Sequence, residues 1–256
     1  KNAVKQYEQD LLNAVEADLG KGAFEEFAAK MKLFYEEINY CSKHLEEWTK
    51  PEKIKTNASQ GSGKCFLTYE PRGVVLIVAS WTYPAHLVLT SMVSAICAGN
   101  CVALKTSDYL IHISQTIKEM IRECFPSEFL DVYSGGAEVT QALINTNLDY
   151  ILFSGSASEG KDIMRLASEH LIPLTLELSG KNPCIIDRSA NLPLTAKRIM
   201  WGKLLSCGQT CVAPDYVLVH TDVKKELAKE LIKTCDELFP KGALTNPNYG
   251  KIINDQ

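Results

Sequence analysis

The sequence predicts an α/β fold: a parallel sheet with helices on both faces, followed by the start of a second α/β domain. The first observation is that short apolar segments alternate with amphipathic ones between residues 74 and 178, a pattern typical of βαβ units. The second is the composition of the 256 residues, of which 46% are hydrophobic and 23% charged. These values are those of an ordinary globular protein with a sizeable core.

The first 69 residues predict two helices, a connection and a strand. Apolar residues at three- and four-residue steps predict helices over 3–19 and 24–48, and glycines follow the first of them. Residues 51–64 are polar and rich in turn formers, which indicates a linker or exposed loop. An apolar run predicts a strand at 65–69.

Strands and helices then alternate. The predicted strands are 74–79, 101–104, 130–133, 150–153 and 174–178, and the predicted helices between them are 87–98, 111–124, 139–144 and 160–169. Because crossovers between parallel strands are right-handed, such a Rossmann-like sheet collects its loops at the carboxyl ends of the strands, where these folds bind ligands.

The alternation continues past Ser179 and Gly180, where we place a domain boundary. The predicted elements there are strands at 184–186 and 216–219 and helices at 192–205 and 223–239. The chain is therefore divided into a domain of residues 1–178 and the beginning of another, residues 179–256.

Charge and cysteine content exclude some classes of protein. The chain has 27 Lys and Arg against 31 Asp and Glu, so it lacks the basic excess that nucleic-acid binding requires. Nine scattered cysteines, an odd number, argue against a disulfide-stapled secreted domain and for a reducing compartment. No Cys or His pairs have metal-ligand spacing, so no metal is expected.

Two segments are considered as a possible signal peptide or membrane-spanning helix. Residues 1–19 lack the apolar core of a signal peptide. Residues 73–104 contain no Asp, Glu, Lys or Arg, but residues 81–84 and the pair Gly99 and Asn100 interrupt them. These breaks favour a buried strand, helix and strand over a membrane-spanning helix.

Two candidate binding features follow predicted strands. Residues 153–160 (FSGSASEG) open a helix: Gly155 permits a tight turn, Ser156 or Ser158 can cap the helix, and its first N–H groups can hold a phosphate. The alternative is an ordinary strand-to-helix turn. Lys105 closes another strand and suits a ligand oxygen or phosphate, unless that strand simply ends in solvent.

Glu177 and Cys211 are the candidates for chemistry. Glu177 ends a buried strand, where partial desolvation should raise its pKa toward neutrality and suit it to a general base. The alternative is an ion pair with Lys181. Cys211 closes a glycine turn (GQTC) that can leave its thiol reachable. The alternative is a small buried hydrophobe.

Together these segments resemble the aldehyde dehydrogenase superfamily. The stretch 176–183 (LELSGKNP) resembles its general-base motif L-E-L-G-G-K-x-P, and 208–211 (GQTC) resembles its nucleophile motif. Further segments similar to this superfamily are 70–74 (EPRGV), 80–84 (SWTYP) and the cofactor turn 153–160. The continuation 211–216 (CVAPDY) is similar to the class 3, fatty-aldehyde branch.

The resemblance implies oxidation of medium- or long-chain or aromatic aldehydes to carboxylic acids with NAD or NADP. Cys211 would form a thiohemiacetal and then a thioacyl enzyme, and Glu177 would activate the water that hydrolyses it. Residues 1–178 would form the NAD(P)-binding domain with N-terminal helices, and 179–256 would begin the catalytic domain. The implied cofactor-binding residues are Gly155, Ser156, Ala157, Ser158, Glu159, Gly160, Lys105, Trp81 and Asp108.

Four positions depart from the family pattern, and one of them is Thr106, which stands in the usual K-P-S-E segment after Lys105. Thr82 stands where the family has an Asn that donates to the developing oxyanion, and losing such a donor costs about 10²–10³ in rate. A Thr hydroxyl offers one bond of shorter reach, so we include Thr82 among the catalytic candidates. Ser179 replaces a Gly beside the general base, and Asp108 replaces the Glu that follows the conserved Lys.

The chain ends before the family's second carboxylate motif, E-x-F-G-P, so it is interpreted as truncated at both ends. For the full-length protein the resemblance implies a homodimer in the cytoplasm. The alternative location is a membrane, with which the protein would associate through a missing C-terminal segment. Two alternatives stay open: a truncated or divergent pseudoenzyme that acts as a binding or structural protein, and a relative that passes its acyl group to coenzyme A.

Overall fold

Helices and a hairpin precede the main sheet in the computed structural model, which describes residues 1–20, 22, 31–56, 61, 63–246 and 249–254. The elements are α1 (Asn2–Gln6), α2 (Glu8–Leu19), α3 (Lys32–Trp48), β1 (Glu52–Ile54) and β2 (Cys65–Leu67). Tyr7 divides the first predicted helix in two, and Gly20 ends α2 with a φ of 62°. Residues 24–30 of the second predicted helix lie outside the described residues. Antiparallel pairing of β1 with β2 corrects the expectation that 51–64 is only a linker or loop.

Five parallel strands form the main sheet. They are β3 (Val74–Val78), β4 (Cys101–Lys105), β5 (Leu130–Tyr133), β6 (Tyr150–Gly155) and β7 (Leu174–Leu178). Their order across the sheet is β5-β4-β3-β6-β7, and each neighbouring pair is parallel. The predicted α/β class is confirmed. The strand order reverses between β3 and β6, the position at which such sheets bind ligands.

Helices cover both faces of this sheet. They are α4 (Pro84–Cys97), α5 (Ile111–Cys124), α6 (Ala137–Ile144) and α7 (Ala157–Glu169). Successive side chains of a strand point to opposite faces, so Val75 and Ile77 join one core with α2 to α5, whereas Leu76 and Val78 join another with α6 and α7. The uncharged stretch 73–104 therefore forms β3, α4 and β4. No helix of the described residues has the length and apolar character needed to cross a membrane.

A second, smaller sheet follows. Its elements are β8 (Asn182–Ile186), α8 (Leu192–Leu204), β9 (Pro214–Val219) and α9 (Lys224–Leu238). Strands β8 and β9 are parallel, and Ile186 packs against Leu192, Ile199 and Leu227 of the two helices. The predicted boundary at 178–179 falls between the main sheet and this one, and the division into domains stays a prediction.

Several elements begin earlier than predicted, for local reasons. Helix α4 begins at Pro84, because the first turn of a helix accepts proline. Helix α7 begins at Ala157, because Ser156 caps it. Strand β8 begins at Asn182 rather than at residue 184. These shifts lengthen the elements next to the candidate site.

A buried thiol in α3 titrates outside its usual range. Cys41 is 3% exposed, and its sulfur donates to Glu37 Oε1 at 3.4 Å. Burial and then this hydrogen bond raise the pKa of Cys41 from 9.0 to about 11. The folded chain therefore keeps a proton at pH values where the unfolded chain has lost it, so Cys41 stabilises the fold fully below pH 9.0 and loses this contribution toward pH 11.

We expect the free energy of unfolding to fall between pH 9 and about pH 10, and to fall less in Cys41→Ser. Tyr7, Tyr35 and Tyr133 have pKa values raised from 10.0 in the fold, so they lower the free energy of unfolding only above about pH 10, where they ionise in the unfolded chain. Denaturant unfolding at several pH values measures the slope. Cys124→Ser is the control, since Cys124 is exposed. Equal slopes for the parent chain and Cys41→Ser would contradict the expectation.

Candidate active site

The carboxyl ends of the five parallel strands lie along one edge of the main sheet, and most of the predicted site residues are found there. Trp81 and Thr82 follow β3, Lys105 ends β4, and the turn 155–160 ends β6. Glu177 in β7 pairs with Ser154 of β6. The fold thus places these residues on one edge, as the crossover argument predicts.

Lys105 is buried at this edge, so the alternative that its strand ends in solvent is wrong. Its residue is 6% exposed, and burial lowers the pKa of its ammonium group. The charges of Asp108, Glu138 and Glu159 act in the opposite direction. A buried ammonium group surrounded by carboxylates is suited to hold the oxygen atoms of a polar ligand. Asp108 itself is exposed.

Sequence reasoning missed Glu138, which lies at the same edge. It follows Gly135 and Gly136 after β5, and its Oε1 accepts the Gly136 N–H at 3.0 Å. Hydrogen bonds from its own N–H and from that of Gly136 lower the pKa of Glu138. Two glycines between a predicted strand and a predicted helix were the available signal. The carboxylate adds a negative charge opposite Lys105.

The turn at the end of β6 is a capping box. The Ser156 hydroxyl accepts the Glu159 N–H at 3.2 Å, and Glu159 Oε2 accepts the Ser156 N–H at 3.0 Å. Ser156 is therefore the cap, and the Ser158 hydroxyl lies 3.0 Å from it. Gly155 has no room for a Cβ, since that atom would lie 2.5 Å from the Phe153 ring. Ala157 is exposed and Gly160 is buried.

Glu177 is exposed, so the expected desolvation of its carboxylate is wrong. The reason is the strand order: among the strands that the structure describes, β7 lies at the edge of the sheet and pairs with β6 alone. The alternative pairing is also wrong, because Lys181 Nζ binds Asp215 Oδ2 at 2.6 Å. Glu177 therefore presents a solvated carboxylate at the carboxyl end of its strand.

Cys211 is exposed, so the alternative of a buried structural thiol is wrong. The chain reaches it through Ser206 and Cys207, which have left-handed φ values of 52° and 56°. Such backbone costs about 1–3 kcal/mol per residue and persists where its surroundings hold it. The turn therefore presents the thiol to solvent on a strained but anchored backbone.

Gln209 anchors this turn, a role that sequence reasoning missed. Its amide donates to the carbonyl oxygens of Ser206 at 3.2 Å and Lys251 at 2.9 Å, and its Oε1 accepts the Ile253 N–H at 3.1 Å. Its partners are therefore both local and some 40 residues away in the chain. The Gln of GQTC thus holds the loop through its contacts with the backbone.

The structure brings the segments of Glu177 and Cys211 into contact. A Cβ on Gly180 would lie 2.0 Å from the carbonyl oxygen of Cys211, a separation that real Cβ atoms do not reach. Only glycine permits this approach.

Thr82 is half-buried and its N–H donates to Ser80 Oγ at 3.2 Å. Within the described part of the chain no hydrogen bond joins Thr82 to Cys211.

Comparison with known proteins settles the family. The sequence model of the family described as "Aldehyde dehydrogenase family" matches residues 1–256. The chain belongs to the aldehyde dehydrogenase family.

Among the residues that the structure describes, no three His, Cys, Asp or Glu side chains are grouped so as to hold a metal ion.

Individual aldehyde dehydrogenases show which branch this chain resembles. It is 40% identical over 252 residues to the 4,4'-diaponeurosporen-aldehyde dehydrogenase of Staphylococcus aureus, with 98% of this chain and 55% of that protein covered. It is 37% identical to the dimeric NADP-preferring aldehyde dehydrogenase of Canis lupus familiaris, with 99% of this chain and 56% of that protein covered. The chain therefore spans about half the length of these curated relatives.

A solved aldehyde dehydrogenase supports the fold directly. The structure of the substrate-bound state of Staphylococcus aureus AldH superposes with a TM-score of 0.94 at 40% identity, and 99% of this chain and 55% of that one are covered. The predicted resemblance to aldehyde dehydrogenases, and to their class 3 branch, is confirmed.

Proposed function

We propose that the protein carrying this chain oxidises an aldehyde to a carboxylic acid with NAD or NADP. The observation that supports this most is the contact between Gly180, three residues after Glu177, and the carbonyl oxygen of Cys211. An exposed thiol and an exposed carboxylate then lie on touching segments. This arrangement suits a reaction that needs a nucleophile and a general base at one carbon atom.

In the proposed reaction the Cys211 sulfur adds to the aldehyde carbon and forms a thiohemiacetal. When bound, the nicotinamide dinucleotide supplies the acceptor for the hydride that leaves this carbon. The thioester that remains on Cys211 is hydrolysed by a water molecule, whose proton Glu177 accepts. The carbon–sulfur bond then breaks and the carboxylic acid is released. The sulfur takes up the proton that Glu177 held, which regenerates the thiol and the carboxylate.

Thr82 is proposed to stand beside the oxygen that becomes negative in the thiohemiacetal. Its hydroxyl is a single donor, whereas the Asn of the family pattern offers two N–H groups. We therefore expect Thr82 to support the reaction weakly, in line with the cost of about 10²–10³ for a lost donor.

The residues at the sheet edge fit a nicotinamide dinucleotide. The amino end of α7, which begins directly after Gly155 and Ser156, favours a phosphate. Buried Lys105, with Asp108 near it, is proposed to bind ribose oxygens. The remaining proposed contacts are Ser156, Ala157, Ser158, Glu159, Gly160 and half-buried Trp81.

Lys105→Met tests the cofactor site. Methionine keeps the apolar length of the buried side chain and removes its charged donor, so we expect the chain to fold and its NAD⁺ affinity to fall about tenfold or more. Titration calorimetry measures the dissociation constant. Lys64→Met is the control, because Lys64 is exposed. Equal affinity in the parent and in Lys105→Met would rule out the proposed role.

The finer aspects of the function are also proposals. The names of the two relatives above, a 4,4'-diaponeurosporen-aldehyde dehydrogenase and a dimeric NADP-preferring aldehyde dehydrogenase, support an aldehyde substrate, NAD or NADP, and a homodimer. A medium- or long-chain or aromatic aldehyde is proposed from the resemblance to the class 3 branch. We also propose that the protein is located in the cytoplasm. Residues 1–178 are proposed to form the NAD(P)-binding domain, and residues 179–256 to begin the catalytic domain.

A further inference from the structure

One side chain bridges the two segments that carry the proposed chemistry. The Asn182 amide nitrogen donates to the carbonyl oxygen of Cys211 at 2.5 Å and to that of Ala213 at 3.1 Å. Asn182 begins β8, five residues after Glu177, and its two acceptors lie in the loop just before β9. It was not among the residues that the sequence singled out.

The local sequence explains why a side chain is used here. Residues Pro183 and Pro214 stand at the start of β8 and β9, and proline has no N–H to donate. The pairing of the two strands is irregular at this point, since Asn182 is opposite Pro214 but Pro183 is opposite Tyr216. The Asn182 amide supplies the two donors that the backbone lacks.

The neighbours of Asn182 hold the same loop. Gly180 lies against the Cys211 carbonyl oxygen, and Lys181 binds Asp215 of β9 at 2.6 Å. The three consecutive residues 180–182 thus contact Cys211 and Ala213 of the loop and Asp215 at the start of β9. The amide is the one contact that fixes the directions of two carbonyl groups at once.

We propose that Asn182 is a positioning residue, whose amide fixes the backbone that presents the Cys211 thiol. The inference rests on the proposed role of Cys211 as nucleophile. With its carbonyl held toward β8, the Cys211 peptide has one orientation, so its side chain starts from a fixed backbone. A nucleophile held this way reaches the aldehyde carbon without first ordering its loop. Serine at this position would offer one donor, and alanine none.

The test compares Asn182→Ala and Asn182→Ser with Asn191→Ala. Asn191 is the matched control, because its side chain also bonds a backbone group, the Leu194 N–H at 3.2 Å, but at the start of α8. Three quantities are measured in the protein: kcat and the KM for NAD⁺ in aldehyde oxidation, and hydrogen exchange of the peptide containing Cys211. Asn182→Ser retains one bond and serves where the alanine variant does not fold.

If Asn182 is a positioning residue, Asn182→Ala should lower kcat about tenfold with little change in the KM for NAD⁺. Hydrogen exchange should become faster in the Cys211 peptide alone. Asn182→Ser should give values between those of the parent and of Asn182→Ala. Asn191→Ala should keep kcat. A kcat within about twofold of the parent in Asn182→Ala, or an equal loss in Asn191→Ala, overturns the inference. If the parent oxidises no aldehyde, the proposed function fails, and the exchange measurement still decides whether Asn182 holds the loop.

Discussion

Cys211→Ser is expected to lose aldehyde oxidation by about three orders of magnitude or more. The substitution changes one atom at an exposed position, so folding and NAD⁺ binding should be retained. The reason is chemical: thiolate is the attacking form, and a serine hydroxyl without an adjacent base stays protonated at neutral pH. The rate of NADH formation with a long-chain or aromatic aldehyde measures the effect.

The matched control for this prediction is Cys124→Ser, a second exposed cysteine at the end of α5, which should keep the parent rate. NAD⁺ affinity measured on Cys211→Ser separates a chemical defect from a folding defect. A variant that retains more than a tenth of the parent rate would show that another group attacks the aldehyde.

Gly180→Ala should destabilise the chain by about 2–4 kcal/mol and reduce activity with it. The added Cβ would lie 2.0 Å from the Cys211 carbonyl oxygen and 2.8 Å from Asn182 Nδ2. The first of these neighbours is backbone, so the contact can be relieved only by moving the segment after β7 away from the Cys211 loop. Urea unfolding measures the stability, and the rate of aldehyde oxidation measures the displacement.

Gly202→Ala is the control, because Gly202 lies inside α8, where alanine is favoured by up to about 1 kcal/mol. Its nearest neighbour would be the Pro214 ring at 3.3 Å, which a small shift accommodates. We expect this variant to be near the parent in stability. A Gly180→Ala chain as stable and active as Gly202→Ala would mean that the two segments are not held in contact.

The sheet was predictable from the sequence because each of its strands is a short apolar run between helical patterns. Residues 74–78 and 101–105, for example, contain mostly Val, Leu, Ile and Ala, which only burial on both faces explains. Strand β1 was missed because Glu52, Lys53 and Ile54 are all exposed and carry no apolar alternation. Its pairing with β2 comes from chain geometry, which periodicity does not report.

The candidate site was predictable where a residue's own neighbours decide its place. The glycine turn leaves Cys211 exposed, and Lys105 closes an apolar strand. Glu177 was misjudged because its exposure depends on β7 being an edge strand, and the strand order is a property of the whole sheet. The effect of the Glu138 charge on Lys105 and the contact of Asn182 with Cys211 were missed because each pair is separated by roughly 30 residues in the chain.

The central claim is that Cys211 is acylated and that Glu177 is the base that releases the acid. Its most direct test is a mass-mapped digest of Glu177→Gln after incubation with NAD⁺ and an aldehyde. Because this variant keeps the thiol and removes the base, we predict that the acyl group accumulates on the peptide containing Cys211, with the mass of the aldehyde less two hydrogens. An acyl group on another cysteine, or an unmodified Cys211 in a variant that still forms NADH, would contradict the account.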